Sequence, residues 1–175
     1  MKTTGPCRDS VPVWMGVDSP LGRLALRAEG GCLTGLYLPN QRHAPAIPPA
    51  LPDTPGDPAL RAAAQWLEAY FSGGRPEVTV PLAPAGTPFQ RAVWQALTEI
   101  PYGETVSYGA LAARLSSAPR AVGGTVGRNP ISILIPCHRV VGADGRLTGY
   151  AGGLAAKEAL LRLESAQCID NLAAF

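Results

Sequence analysis

The chain has 175 residues, with 15 Lys plus Arg against 13 Asp plus Glu, and its 16% charged residues fall below the ~25% of an average soluble domain, which excludes a charged disordered tail. Apolar residues reach 46% without any run near the ~20 residues a membrane-spanning helix needs, so the expectation is a soluble protein with one sizeable core or two small ones and no membrane partner. The first twenty residues hold Lys2, Arg8 and Asp9 among prolines and glycines and lack the pattern of a secretory signal, so a cytoplasmic location is expected.

The first third alternates apolar and polar residues over 11–17, 24–28 and 32–38, with turn chemistry at Asp18-Ser19-Pro20 and Glu29-Gly30-Gly31. This pattern predicts three antiparallel strands. Seven prolines between Pro39 and Pro58 then forbid regular structure and predict an extended connection. A helix follows, with Asp57 as N-cap, Pro58 in the first turn, Leu60, Ala63, Ala64, Leu67, Tyr70 and Phe71 on one face, and Gly73-Gly74 as the stop. Prolines at 76, 81 and 84 mark a boundary, giving modules 1–85 and 86–175.

The second module opens with a capping box of Thr87 and Gln90 around Pro88, on a helix whose Phe89, Val93, Ala96, Leu97 and Ile100 share a face. Ser107 is the N-cap of a short helix over 108–115, and a second one is expected over 120–129. The pair has a helix-turn-helix outline. Gly123, Gly124 and Gly127 each cost about 0.8–1 kcal/mol relative to Ala in a helix. Either a bulky partner such as a DNA groove must approach this backbone closely, or the segment is a loosely helical loop packed on its own domain.

Thirteen of the 15 basic residues are Arg, and residues 105–143 contain Arg114, Arg120, Arg128 and Arg139 with no carboxylate. Residues 1–104 carry 8 basic against 9 acidic side chains, and 105–175 carry 7 against 4, so the net +2 is concentrated in the second module as a small, local positive surface. Cys7, Cys32, Cys137 and Cys168 form no C-x-x-C pair, so neither a disulfide framework nor a zinc site is expected.

Residues 131–135 form an apolar run that stops at Pro136-Cys137-His138-Arg139, as expected of a strand that delivers a nucleophile to the floor of a pocket. A thiol is mostly protonated at neutral pH until a base or cation makes it a thiolate. His138 is the candidate base, acting through a water, and Glu164, on an amphipathic helix over 157–164, is the carboxylate that would orient it. Taken alone, a Cys-His dipeptide is more often a buried thiol beside a satisfied histidine, and Cys7, Cys32, Cys168 and His43 are assigned no chemical role.

Thr87-Pro88-Phe89-Gln90, Ile100-Pro101-Tyr102-Gly103-Glu104-Thr105, Ser107-Tyr108-Gly109, Arg120-Ala121-Val122-Gly123, Asn129-Pro130, Ile135-Pro136-Cys137-His138-Arg139-Val140-Val141 and Gly149-Tyr150-Ala151-Gly152-Gly153-Leu154 occur in one order over residues 87–164. This series resembles the O6-alkylguanine-DNA alkyltransferases. The resemblance implies an α+β protein: a small N-terminal antiparallel sheet with a helix, of ribonuclease H-like outline, and a mostly helical, winged helix-turn-helix-like C-terminal domain that carries the active site. It implies a suicide methyltransferase without cofactor or metal, moving the alkyl group of O6-alkylguanine, and also of O4-alkylthymine, irreversibly to Cys137 after flipping the base from the minor-groove side. The implied catalytic residues are Cys137, His138, Glu164 and Tyr108, the last protonating guanine N3, with Asn129 bracing the turn below.

The implied DNA contacts are Thr87, Tyr108, Arg120 as the finger that fills the vacated stack, Ala121, Gly123, Gly124, Thr125 and Arg128. Val140, Tyr150, Ala151, Ser132 and Pro136 would form the pocket. The partner is duplex DNA containing O6-alkylguanine, bound by a monomer that could act cooperatively; the alternative is a base-binding protein of the alkyltransferase-like type, which lacks the acceptor cysteine. The turn before Arg120 is about two residues shorter than the family's usual one, which predicts a displaced helix start. Thr125 stands where Ala is common and would crowd the groove. Ser132 replaces a proline of some relatives and predicts a roomier pocket. Cys7, Cys32 and His43 do not match the zinc ligands of some members.

Overall fold

The computed structural model describes residues 10–53 and 56–172. Its first part is an antiparallel meander of β1 (Val13–Ser19), β2 (Gly22–Glu29) and β3 (Cys32–Tyr37), in that order across the sheet. β1 lies two residues later than its pattern predicts. Val11 is 84% exposed, and pairing runs from Val13 opposite Ala28 to Ser19 opposite Gly22. The turn is therefore Pro20-Leu21, held by the Ser19 hydroxyl, which accepts from Leu21 N and donates to Gly22 O. The second turn rests on Gly30 and Gly31, both at positive φ, the conformation that two-residue hairpin turns favour. Cys32, which the spacing of the cysteines assigns no role, is disulfide-bonded.

The proline-rich connection stays irregular and leads to α1 (Pro58–Phe71), where the Asp57 carboxylate accepts from Ala59 N. Its Leu60, Ala63, Leu67 and Tyr70 are buried against the three strands, each large apolar side chain contributing about 1.5–3 kcal/mol. β3 would be an open edge, but the chain returns to it twice. Leu33 N donates to Pro81 O and Leu33 O accepts from Ala83 N; further along, Leu36 N donates to Pro130 O and Leu36 O accepts from Ser132 N. The unpaired groups that make an edge a liability thus hold the segment that precedes Cys137.

In the second module α2 (Pro88–Thr98) carries the full capping box of Thr87 and Gln90. Its buried face is Val93, Trp94, Ala96 and Leu97. Phe89, expected on that face, is 40% exposed because it sits in the first turn, before the helix reaches the core. α3 (Tyr108–Arg114) starts on the Ser107 hydroxyl, which accepts from Ala110 N. α4 (Pro119–Val126) begins one residue earlier than expected, since Pro119 has the fixed φ that suits a first helical position. β4 (Val106–Ser107) runs parallel to β5 (Val140–Val141), and α5 (Leu154–Leu172) extends beyond both ends of the predicted helix. One apolar core joins Leu36, Leu60 and Leu67 to Leu97, Leu111, Val122 and Ile131. No helix among the described residues is long and apolar enough to cross a membrane.

Trp94 fastens α4 to this core, its buried indole N–H donating to Thr125 O at 3.0 Å. Replacing Trp94 by Phe removes that hydrogen bond and leaves a void where the indole was, while Thr125 O still accepts from Arg128 N, so Trp94→Phe is expected to lower unfolding free energy by about 1–3 kcal/mol, read as a reduced urea midpoint.

Candidate active site and nucleic-acid interface

The segment before Cys137 is not the predicted strand. Asn129 is 3% exposed, and its side chain donates to Ile135 O at 2.8 Å and accepts from Ile131 N at 3.0 Å. Inside this clamp Ile135 N bonds Ile131 O, Leu134 N bonds Ser132 O, and Cys137 N bonds Ile135 O. The second contact closes a turn over Ile133 at φ +70, an outlier for a β-branched residue. The third closes over Pro136 at φ −80, ψ 64, an inverse γ-turn. Ladder pairing stops after one parallel bridge between Ile131 and Leu36, and the Asn129 amide with Pro136 gives a knot of tight turns instead. Gln41, from the proline-rich connection, ties it to the first module: Oε1 accepts from Ser132 Oγ at 2.9 Å and from Leu38 N at 3.0 Å.

Cys137–Arg139 is a 3-10 turn, in which successive side chains diverge by about 120°. Cys137 therefore faces the pocket while His138 faces the interior. Glu164, buried on α5, receives five donors: His138 Nε2 (2.7 Å), Tyr70 Oη (2.7 Å) and Arg139 Nη2 (3.0 Å) at Oε1, and Arg139 Nε (2.9 Å) and Gly103 N (3.2 Å) at Oε2. Burial alone would raise the Glu164 pKa, but the hydrogen bonds and charge of His138 and Arg139 outweigh it and hold it at about 2. Burial, against the pull of Glu164, pushes His138 below its ordinary value, with Arg139 and Lys157 adding to the effect. The imidazole is thus neutral at physiological pH, and its Nδ1 is buried with no protein partner.

Cys137 is a free thiol, 4% exposed. Burial raises its pKa, while Asn129, Tyr150 and the charge of Lys157 work in the opposite direction. It forms part of the wall of a cavity of about 500 Å³ shared with Tyr108, Gly123, Arg128, Tyr150 and Ala151. The Tyr108 hydroxyl lies 3.4 Å from Thr148 O, and burial, followed by Cys137, raises its pKa. The buried Tyr150 hydroxyl is faced by Cys137 and Ser132. Lys157 is buried on α5, and its ammonium donates to Val140 O (2.5 Å), Thr148 O (3.1 Å) and Gly149 O (3.3 Å).

Three of the expected pocket residues lie elsewhere. Ser132 is behind Tyr150, 2% exposed and tied to Gln41, so it does not enlarge the pocket. Val140 is fully buried and its carbonyl is taken by Lys157. Pro136 faces a second cavity of about 750 Å³ on the opposite side of the turn, with Trp66, Tyr70, Tyr102 and Arg139. Conversely, Arg42 and His43 of the proline-rich connection reach the rim of the Cys137 cavity, His43 at φ +63, and Arg42 N donates to Ala151 O at 2.8 Å. Nothing in the local sequence marks them. Lys157 had a signal: with Leu160 and Glu164 it occupies the buried stripe of α5, where a lysine is rare unless paired.

On α4 and the turn that follows it, Arg120, Ala121, Gly124 and Arg128 are exposed and Gly123 is half-buried. Thr125 is 7% exposed and points into the core beside Trp94, so it neither reaches nor crowds an external partner. A Cβ on Gly123 would come no closer than 3.7 Å to Tyr108, and one on Gly124 no closer than 3.5 Å to Arg128, so internal packing does not require either glycine. Thr87 is exposed, but its hydroxyl caps α2. Of the four arginines in the acid-free interval, Arg139 is buried on Glu164 and Arg114 pairs with Glu99 at 2.5 Å. The positive surface is thus narrower than the sequence count suggests, resting on Arg120 and Arg128. No group of three or more His, Cys, Asp or Glu that could hold a metal occurs among the described residues.

With this geometry in view, the comparisons with known proteins are specific. Residues 88–166 match the DNA-binding domain of 6-O-methylguanine DNA methyltransferase and residues 13–84 its ribonuclease-like domain. The chain is 47% identical over 161 residues to a Mycobacterium tuberculosis methylated-DNA–protein-cysteine methyltransferase, covering 91% of this chain and 96% of the relative. The Haemophilus influenzae protein of the same name is 46% identical over 159 residues, 87% of this chain and 86% of its own. The crystal structure of Mycobacterium tuberculosis OGT in complex with DNA superposes with a TM-score of 0.78 at 45% identity, covering 88% of this chain and 93% of that one. With both domain models matched in succession and relatives of nearly equal length, the chain belongs to the 6-O-methylguanine DNA methyltransferase family.

Proposed function

We propose that this protein repairs alkylated duplex DNA directly, transferring the alkyl group of O6-alkylguanine to the sulfur of Cys137 in a single turnover. The observation that carries this reading is the placement of a free thiol in the wall of a cavity, with a neutral imidazole next to it in sequence and that imidazole bound to a buried carboxylate. The position that a base-binding relative without chemistry would leave empty of sulfur is occupied by the one residue the reaction needs. Residues 1–85 form the supporting module and residues 86–175 the DNA-binding and acceptor module.

At rest the thiol is protonated and shielded. When an alkylated base enters the cavity, the Cys137 proton passes through a water to His138 Nδ1, the buried nitrogen that has no protein partner. Glu164 holds the resulting imidazolium, and the Lys157 charge favours the thiolate. The sulfur attacks the alkyl carbon in line; the S–C bond forms as the C–O6 bond breaks, and the electron pair moves into the guanine ring. Tyr108, kept neutral by burial, gives its proton to guanine N3 and recovers one from the imidazolium, so the thiol proton ends on the base. Thioether formation is irreversible and needs no cofactor. Tyr150 and Ala151 line the pocket, and Asn129 keeps the turn below it in shape. O4-alkylthymine offers the same electrophilic carbon and is a second substrate.

The base reaches this pocket by flipping, at a cost of a few kcal/mol. The small residues of α4 let its backbone lie against the minor groove, where Arg120 fills the vacated stack and Arg128 contributes charge. The protein acts as a monomer.

Incubation with duplex DNA containing O6-methylguanine, followed by mass spectrometry of peptides, is expected to place one methyl group per protein molecule on the Cys137 peptide; product in excess of protein, or methylation elsewhere, would refute the proposal. Cys137→Ser should abolish transfer, and His138→Gln should slow it by about 10²–10⁴-fold, the range for a lost general base.

Two stability measurements follow from the same site. The Glu164 pKa is depressed in the folded state, from an ordinary value near 4.5 to about 2. Its contribution is therefore present above about pH 4.5 and lost as pH falls towards 2. The expected loss is roughly 3 kcal/mol, seen in urea denaturation at stepped pH and missing from Glu164→Gln. Methylating a thiol that is 4% exposed overpacks its surroundings by about 1–3 kcal/mol, so the reacted protein is expected to melt several degrees below the unreacted one.

A further inference from the structure

The carboxylate that serves the acceptor is not held by the second module alone. Tyr70, on α1, donates to Glu164 Oε1 at 2.7 Å, the same oxygen that His138 Nε2 meets at 2.7 Å and Arg139 Nη2 at 3.0 Å. Tyr70 is 1% exposed. Its ring stacks on Trp66 (centroids 5.0 Å apart, planes at 13°) and lies edge-on to Phe71 and Tyr102. A phenol fixed on three sides by aromatic rings cannot swing away from its acceptor.

We propose that Tyr70 is a positioning residue for alkyl transfer, one that shares Glu164 Oε1 with His138 and thereby sets how strongly the carboxylate supports a proton on the imidazole. The inference rests on the reading of His138 as the base. Each donor to one oxygen draws charge from it, so the tyrosine weakens the hydrogen bond that stabilises imidazolium. An imidazole that holds its proton less tightly returns it more readily once the alkyl group has moved to Cys137 and the guanine needs a proton to leave. The other charged and titratable groups around His138 and Glu164 are Cys137 and Arg139 from the 3-10 turn, Lys157 from α5, and Tyr102 from the turn after α2, with Arg75 stacked over Tyr102 at 4.7 Å. Burial, followed by the charge of Glu164 and the hydrogen bond to it, raises the Tyr70 pKa far above its ordinary value, so it remains a donor throughout the working pH range. Removing its hydroxyl changes no net charge, unlike removing Arg139 or Lys157.

The test is the pH dependence of single-turnover methyl transfer by the full chain on O6-methylguanine duplex, together with NMR titration of ¹⁵N-labelled imidazoles. The chain has only 2 histidines, and the His138→Gln spectrum assigns the other. Tyr70→Phe is expected to move both the acid limb of the rate profile and the His138 titration upward by roughly half a unit or more, with the Kd for DNA unchanged. Difluorotyrosine placed at position 70 alone, a stronger donor that preserves the ring stack, is expected to move both downward and serves if the Phe variant does not fold. A folded variant with a lower Tm but an unmoved limb and titration would overturn the proposal, leaving Tyr70 a packing residue. A wild-type acid limb that persists unchanged in His138→Gln would instead overturn the reading of His138 as the base.

Discussion

A full negative charge on Glu164, with no exposed surface, is the constraint around which the acceptor site is built. Taking a carboxylate out of water costs several kcal/mol even after relaxation, and only complete pairing offsets it. Arg139 supplies a two-pronged contact, Tyr70 and Gly103 N fill further lone-pair positions, and His138 completes the set. These donors come from α1, the turn after α2 and the 3-10 turn, and the carboxylate comes from α5. One anion therefore joins four separate stretches of chain, and α1 of the first module contributes a hydrogen bond to the same carboxylate oxygen that meets His138.

The acceptor is arranged to be inert until it is needed. Burial keeps the thiol protonated, yet the groups that favour the thiolate, Asn129, Tyr150 and Lys157, already surround it. Little reorganisation is required when the proton leaves, which is the condition under which fixed dipoles and charges are most effective. The strained turn at Ile133 belongs to this arrangement. It is tolerated because Asn129, Gln41 and the edge of β3 bind the segment from three directions, so the backbone cannot relax by moving the cysteine.

Much of this was legible in the sequence wherever the determinant was local. Asp57-Pro58 and Thr87-Pro88-Phe89-Gln90 fixed the starts of α1 and α2 because a cap needs only its next few residues. Pro136-Cys137-His138 announced the nucleophile, and the apolar stripe of α5 placed Glu164. Failures came where hydrogen-bond or ion-pair partners outside the hydrophobic pattern decided the outcome. Residues 131–135 have a strand's composition, but Asn129 and Pro136 divert their hydrogen bonds into turns. Arg139 and Arg114 looked like part of a DNA-binding surface because charge counts do not register a partner such as Glu164 or Glu99. Thr125 looked exposed because only the packing of α4 on Trp94 turns it inward. Tyr70 was placed correctly on a buried helix face, but its hydroxyl partner is 94 residues away and has no signature near it.

Lys157 has a further consequence. Its ammonium holds the wall between β5 and α5 through three backbone carbonyls, those of Val140, Thr148 and Gly149, and every residue type, whatever its side chain, offers the same carbonyl. Residues 143–147, which lie between those contacts and line no part of the Cys137 cavity, are therefore free to drift in sequence without displacing it. The lysine itself is not free: a compact ammonium directs its three protons towards three converging oxygens, whereas the flat fork of an arginine would not fit that geometry. Variation across this wall should be wide over 143–147 and stop at the pocket residues and at the one cation that anchors them.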